Sequence, residues 1–205
     1  MGAFVVMPKC NNADNKSVSD DTQAERCVYT NAELADLLHA LDVPFVWSDA
    51  QQAPNLPADP TGLIVALADN AESRLRLALI PLLLRHPAFA QYAKSAAAHL
   101  SGDALLVLRC YYTAAYFLQQ INQARLNALF GARTPLPDLF STGLALPSIQ
   151  TPETGLQALA AQHRMLSGKA INWAGTYEHG AQRFLRYCEK RQGWQKSLLT
   201  AFVCS

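Results

Sequence analysis

The feature that most constrains the fold is an uninterrupted helical pattern of 28 residues, from Asp103 to Phe130, which Gly131 closes. Apolar and polar side chains recur along it with a period of 3.6 residues rather than 2, which is the spacing of an α-helix. A pattern this regular predicts an all-α fold, with the other helices packed around one long central helix as a single globular bundle.

The two faces of this long helix differ in chemistry. Apolar side chains line one face, and the opposite stripe consists of Arg109, Tyr112, Tyr116, Gln120, Gln123 and Asn127. Lysine and glutamate, which usually cover solvated helices, are absent from it. Tyrosine and amide side chains suit a contact surface because they combine area with hydrogen bonding. The stripe is expected to meet another part of this chain, a protein partner, a second copy of the chain, or stacked nucleobases.

One charged residue, Arg125, is placed by the same count on the apolar face. A buried guanidinium needs a partner, because an unpaired buried charge is strongly destabilising. We expect an ion pair or backbone carbonyl contacts with another helix, with Asp138 or Glu153 as candidate partners. The alternative is an arginine at the floor of a cleft that binds a carboxylate or phosphate in bidentate fashion.

Capping signals and apolar periodicity predict six or seven helices between about residues 30 and 200. Besides the long helix, the predicted starts are Thr30, Asp59–Pro60, Glu72, about residue 88, Thr151–Pro152 and about Gly175. The 72–86 segment is apolar almost all round, which is typical of an enclosed helix. Pro81 should bend or break it between Leu77 and Pro81.

Two segments lack a helical pattern. Residues 11–26 contain one valine and no other large apolar side chain, so we predict that 1–28 form a disordered acidic leader before a single helical domain, 29–205. Residues 132–150 carry three of the four prolines in the 135–152 stretch, together with leucines and a phenylalanine. This composition predicts a surface strap that is packed against the domain.

Charge is unevenly distributed along the chain. Residues 1–72 carry a net charge of −8 and residues 73–205 a net charge of +9. We expect the acidic segment to pack across the basic helical body, or the basic face to bind an anion. Arg183, Arg186 and Lys190 share one face of the last predicted helix, so they are candidate phosphate contacts for a nucleic acid or simply a solvated basic helix end.

The best candidates for catalysis are His163, Glu178 and His179. One of the histidines would act as general base, with Glu178 orienting it. Adjacent helical residues point about 100° apart, however, so Glu178 and His179 cannot serve one centre without help. The alternative is that His179 is an ordinary surface residue. Metal-site and cofactor motifs are absent, so no metal or cofactor is expected.

The five cysteines form no C-x-x-C pair, and their odd number argues against a disulfide framework. Cys110 and Cys188 are predicted to be core residues in a reducing compartment, which makes the cytoplasm the expected location. Apolar runs are too short for a signal peptide or a membrane span, so no membrane association is expected.

These observations favour a non-catalytic protein-interaction or self-association module that uses the polar stripe to bind a protein partner or to form a homodimer. A nucleic-acid-binding protein that uses the basic last helix is a less favoured alternative. A helical hydrolase or nuclease centred on His163, Glu178 and His179 is a further alternative.

Overall fold

The computed structural model describes residues 29–44, 59–147 and 151–203, with side chains as far as Trp194. Every regular element within these ranges is helical, which confirms the all-α prediction. The predicted leader lies outside the described residues. No helix in the described ranges combines the length and the apolarity needed to cross a membrane.

The α-helices are α1 (Asn31–Ala40), α2 (Pro60–Ala68), α3 (Ser73–Leu77), α4 (Leu79–Arg85), α5 (Ala90–Ala98), α6 (Gly102–Ile121), α7 (Gln123–Phe130), α8 (Pro152–Ser167) and α9 (Trp173–Val203). Three of the predicted starts are confirmed together with their capping residues. Thr30 and Glu33 form a capping box at α1, while Asp59 and Thr151 accept backbone N–H bonds at the starts of α2 and α8.

Pro81 divides the predicted 72–86 helix into α3 and α4, with the break at Ala78. Proline has no N–H to donate to the carbonyl four residues earlier, so the chain tightens before it. The Ala78 N–H accordingly reaches the carbonyls of both Arg74 and Leu75, at 3.2 and 3.1 Å. Residues 79–84 are all buried, as predicted for an enclosed helix, and α4 packs against α6 and α9.

The long central helix is interrupted, which corrects the prediction of one continuous helix over 103–130. It consists of α6 and α7, joined at Asn122, whose backbone leaves the helical range with φ −103° and ψ 17°. The Asn122 side-chain amide donates to the Leu118 carbonyl at 2.9 Å, a local bond that competes with regular helix geometry. A count of 100° per residue therefore does not carry across residue 122.

The last helix begins at Trp173, two residues before the predicted start, and continues beyond 192 to Val203. It packs against α4, α6, α7 and α8. Gly180 allows α9 to lie close to the end of α3, because a Cβ there would lie 3.1 Å from a methyl group of Leu77. The most extensive helix contact is between α6 and α8.

Candidate interaction groove

The described part of the predicted strap, residues 132–147, crosses the polar face of α6 and covers Tyr112. The Tyr112 hydroxyl donates to the Pro137 carbonyl at 3.0 Å, and its ring meets the ring of Phe140 edge-on, with centroids 5.2 Å apart. Tyr112 is fully buried. Tyr112 therefore belongs to the core. Of the alternatives for the polar stripe, burial against another part of the chain is the one that Tyr112 shows, so its hydroxyl and ring are not available to a partner.

A second strap contact comes from Gln119, a residue that the sequence analysis did not single out. Its side-chain nitrogen donates to the Thr134 carbonyl at 3.2 Å, and its side-chain oxygen accepts the Leu136 N–H at 2.6 Å. Gln119 is buried. One amide thus satisfies two backbone groups of the strap that have no helix or strand partner.

Arg133 fixes the beginning of the strap to the end of α4. Its guanidinium donates to the backbone carbonyls of Leu84 and Arg85 and lies 4.5 Å from the centre of the Phe130 ring. These carbonyls are the ones that a helix C-terminus leaves without intrahelical partners. Burial and the neighbouring charge of Arg85 lower the pKa of Arg133.

Beyond these strap contacts, the polar stripe borders a groove of about 420 Å³ between α6, α7 and the strap. We call this groove the amide groove. Its helical wall contains Tyr116, Gln120, Gln123 and Asn127. A second hollow, of about 470 Å³, shares Tyr116, Gln120 and Asp138 with it and extends towards Pro147. The two hollows together form an elongated depression along the strap.

The hydrogen-bonding groups of the amide groove are open to solvent. Gln120, Gln123 and Asn127 are exposed, and Tyr116 is half-buried against Phe117. Among the described residues, the side chains of Gln123 and Asn127 have no hydrogen-bond partner, and Gln120 makes one long bond of 3.4 Å to the Tyr116 carbonyl. The groove therefore offers uncharged donors and acceptors to a ligand.

Arg109 and Arg125, the two arginines of the long helical pattern, lie outside this groove. Arg109 is half-buried, and its Nε is enclosed without a hydrogen-bond partner among the described residues. Arg125 donates to Glu189 at 2.8 and 3.0 Å and to Gln182 at 2.6 Å, which joins α7 to α9. The expectation of an ion pair is confirmed, but the predicted partners and the predicted burial are wrong: 37% of the Arg125 side chain is exposed.

The structure does not bring the three catalytic candidates together. His163 is buried in α8, with 2% of its surface exposed, whereas Glu178 and His179 are exposed on α9. Glu178 lines a cleft with Glu153 and Gln182, and His163 lines a different cavity. No group of three or more His, Cys, Asp and Glu side chains in the described part of the chain could hold a metal ion.

The basic residues Arg183, Arg186 and Lys190 are exposed on α9. Glu189, the acid within this run, is engaged by Arg125. Nucleic-acid binding through these residues stays a prediction. Comparisons of this chain with protein-family models, with curated proteins and with solved structures find no match.

Proposed function

We propose that this protein is a non-catalytic interaction module, and that an extended segment of a partner protein binds in the amide groove. The observation that carries the proposal is the side-chain arrangement of this groove. Tyr116 and Gln120 of α6 and Gln123 and Asn127 of α7 line one concave surface. The amide groups of Gln123 and Asn127 have no partner among the described residues.

The chemistry of the groove suits a polypeptide backbone. An extended peptide presents one N–H donor and one carbonyl acceptor at most residues, and a glutamine or asparagine amide can bond to both. Tyr116 adds a flat apolar ring with a hydroxyl group, which is the combination that protein interfaces favour. Arg133 and Asp138 on the strap side give the groove one charge of each sign, so neither a strongly acidic nor a strongly basic segment is preferred.

A photo-crosslinking amino acid at position 123 tests the site directly. The matched control places the same group at Gln91, an exposed glutamine of α5 outside the groove. A partner that is crosslinked from position 123 and not from position 91 supports the proposal, and the crosslinked peptide identifies the segment. Equal yields from both positions would contradict a groove-specific contact.

The identified segment is then titrated against purified variants. Tyr116→Ala combined with Gln123→Ala should weaken binding by about tenfold or more, which corresponds to about 1.4 kcal/mol. Tyr187→Ala removes an exposed tyrosine of α9 outside the groove and should leave the affinity unchanged. Unchanged affinity in the double variant would overturn the proposal.

Self-association through the same groove is distinguished by light scattering. A dimer that dissociates in the Tyr116→Ala, Gln123→Ala variant, together with crosslinks from position 123 to the chain itself, would replace the partner with a second copy. A monomer with crosslinks to another protein supports the proposal as stated.

We further propose the cytoplasm as the site of action. Cys110 and Cys188 are buried free thiols, and burial raises the pKa of Cys110 to about 12 and of Cys188 to about 11. Thiols of this kind act as small core side chains, and their reduced state is the usual one in a reducing compartment.

A further inference from the structure

A smaller cavity, of about 110 Å³, lies where the end of α2, the start of α6 and the α8–α9 corner meet. Three buried rings contribute to its wall: Tyr111, His163 and Trp173. Its charged lining residues are Asp69, Arg76, Asp103 and Lys169. The cavity is separate from the amide groove, with which it shares no lining residue.

His163 is the most constrained of the three rings. Its Nδ1 is hydrogen-bonded to the Tyr177 hydroxyl at 2.5 Å, and its ring stacks on Trp173 with centroids 3.7 Å apart. Nε2 has no hydrogen-bond partner among the described residues. It is also not among the fully enclosed atoms that lack a partner, so it keeps some accessible surface. His163 lines the cavity, so its buried ring forms part of the surface that a ligand would meet there.

The four charged side chains are available to a ligand as well. None of them forms an ion pair with a described residue, although two are basic and two are acidic. Asp69, Asp103 and Lys169 are exposed, which places them at the mouth.

The two cations act on the buried rings. Arg76 donates to the Asn70 carbonyl and, against the larger effect of burial, its charge lowers the pKa of Tyr111. The charge of Lys169 adds to burial in lowering the pKa of His163. Of the four charged lining residues, Arg76 is the half-buried one, so it brings positive charge closest to the ring-lined floor.

We propose that this cavity binds a small zwitterion of the amino-acid type. Its carboxylate would face Arg76, Lys169 and the His163 ring, and its ammonium group would face Asp69 and Asp103 at the mouth. A volume of about 110 Å³ is a small one for a ligand pocket, so we expect the ligand to be one of the smaller amino acids.

The test follows the indole N–H signal of Trp173 by NMR during titration with glycine, L-alanine and L-serine. Acetate and methylammonium serve as probes that each carry one of the two charges. We expect saturable shifts with at least one amino acid and binding weaker by about tenfold or more for both single-charge probes, because each loses one set of charged contacts. Acetate that binds as tightly as the amino acids would overturn the zwitterion in favour of a simple anion site.

Two exposed residues allow the site to be altered without disturbing the core. Lys169→Ala and Asp103→Asn should each weaken the binding of the amino acid with the highest affinity by about tenfold. Lys94→Ala, which removes an exposed lysine of α5 outside the cavity, should leave its affinity unchanged. The absence of any saturable shift, or full affinity in both cavity variants, would overturn the proposal, and neither result bears on the amide groove.

Discussion

At the scale of single residues, the buried His163 should make stability depend on pH. Burial, with a contribution from Lys169, lowers the pKa of His163 from 6.5 to about 4. The unfolded chain then binds the proton more readily, so stability is complete above pH 6.5 and falls as the pH drops towards 4. This residue should remove about 2 kcal/mol of the free energy of unfolding between about pH 7 and about pH 5.

Urea unfolding at the two pH values measures this loss, and His163→Gln is the comparison that isolates it. His86, whose pKa burial also lowers, contributes to both proteins and cancels in the difference. The variant is expected to be less stable at neutral pH and to lose less stability on acidification. An equal acid loss in the two proteins would show that His163 is not held neutral by the fold.

Tyr112 gives a second prediction at this scale. Tyr112→Phe keeps the ring against Phe140 but leaves the Pro137 carbonyl without its donor. The expected cost is about 1 kcal/mol in chemical denaturation. Tyr116→Phe, which removes a hydroxyl with no described hydrogen-bond partner, should cost much less, and a similar loss in both variants would contradict the strap contact.

Helical periodicity placed Tyr112 and Tyr116 on one stripe and could not distinguish them. It gives a direction around the helix axis, but it does not show which part of the chain packs there. Tyr112 is buried because the strap residues Pro137 and Phe140 pack on it. Arg125 illustrates the same limit, because its partner Glu189 lies 64 residues away and on a helix whose packing the sequence does not specify.

At the scale of elements, Gln119 should control how firmly the strap is held. Gln119→Ala removes both bonds to the strap backbone and leaves the Leu136 N–H without its acceptor. If this lowers the local opening free energy by about 1.4 kcal/mol, the Leu136 amide will exchange with solvent about tenfold faster. Hydrogen exchange followed by NMR reports this amide individually.

Gln120→Ala is the matched control, because Gln120 is the next residue of the same helix and makes no hydrogen bond to the strap. In the Gln120→Ala variant, the Leu136 amide should exchange at the wild-type rate. Equal acceleration in the two variants would mean that helix stability, rather than the Gln119 amide, limits opening of the strap.

Some of the predicted features are caused by residues close together in the chain, and others depend on residues far apart. Caps at Thr30, Asp59 and Thr151 and the break before Pro81 act over four residues or fewer, so the sequence predicts them well. Asn122 also acts locally, but asparagine is tolerated inside many helices, and its bond to Leu118 is only one of several that the side chain can make. The groove depends on where the strap lies, which is a long-range contact.

At the scale of the whole molecule, Asp42 connects the acidic N-terminal segment, residues 1–72, to the basic helical body. It pairs with Arg85 of α4 at 3.1 Å and with Arg191 of α9. Burial alone would raise the pKa of Asp42, but hydrogen bonds and charge from Arg191 and Arg85 together outweigh it, and the pKa is lowered. The pairs thus stabilise the fold at neutral pH and lose their effect as the pH falls through the lowered pKa.

Asp42→Asn tests whether the charge division along the chain contributes to stability. Asp42 has a positive φ of 61°, a conformation that asparagine also tolerates, so the substitution removes charge without straining the backbone. The pairs are partly exposed, so we expect a loss of at most about 1 kcal/mol in the free energy of unfolding at low salt and a smaller loss at high salt, where exposed charges are screened.

Asp69→Asn is the control. It removes an acid of the same acidic segment that has no described ion pair, and it should show no such salt-dependent loss. Urea unfolding at both salt concentrations measures the free energy of unfolding of the two variants. If the loss in Asp42→Asn is the same at high salt, local hydrogen bonding, rather than attraction between the acidic segment and the basic body, is the cause.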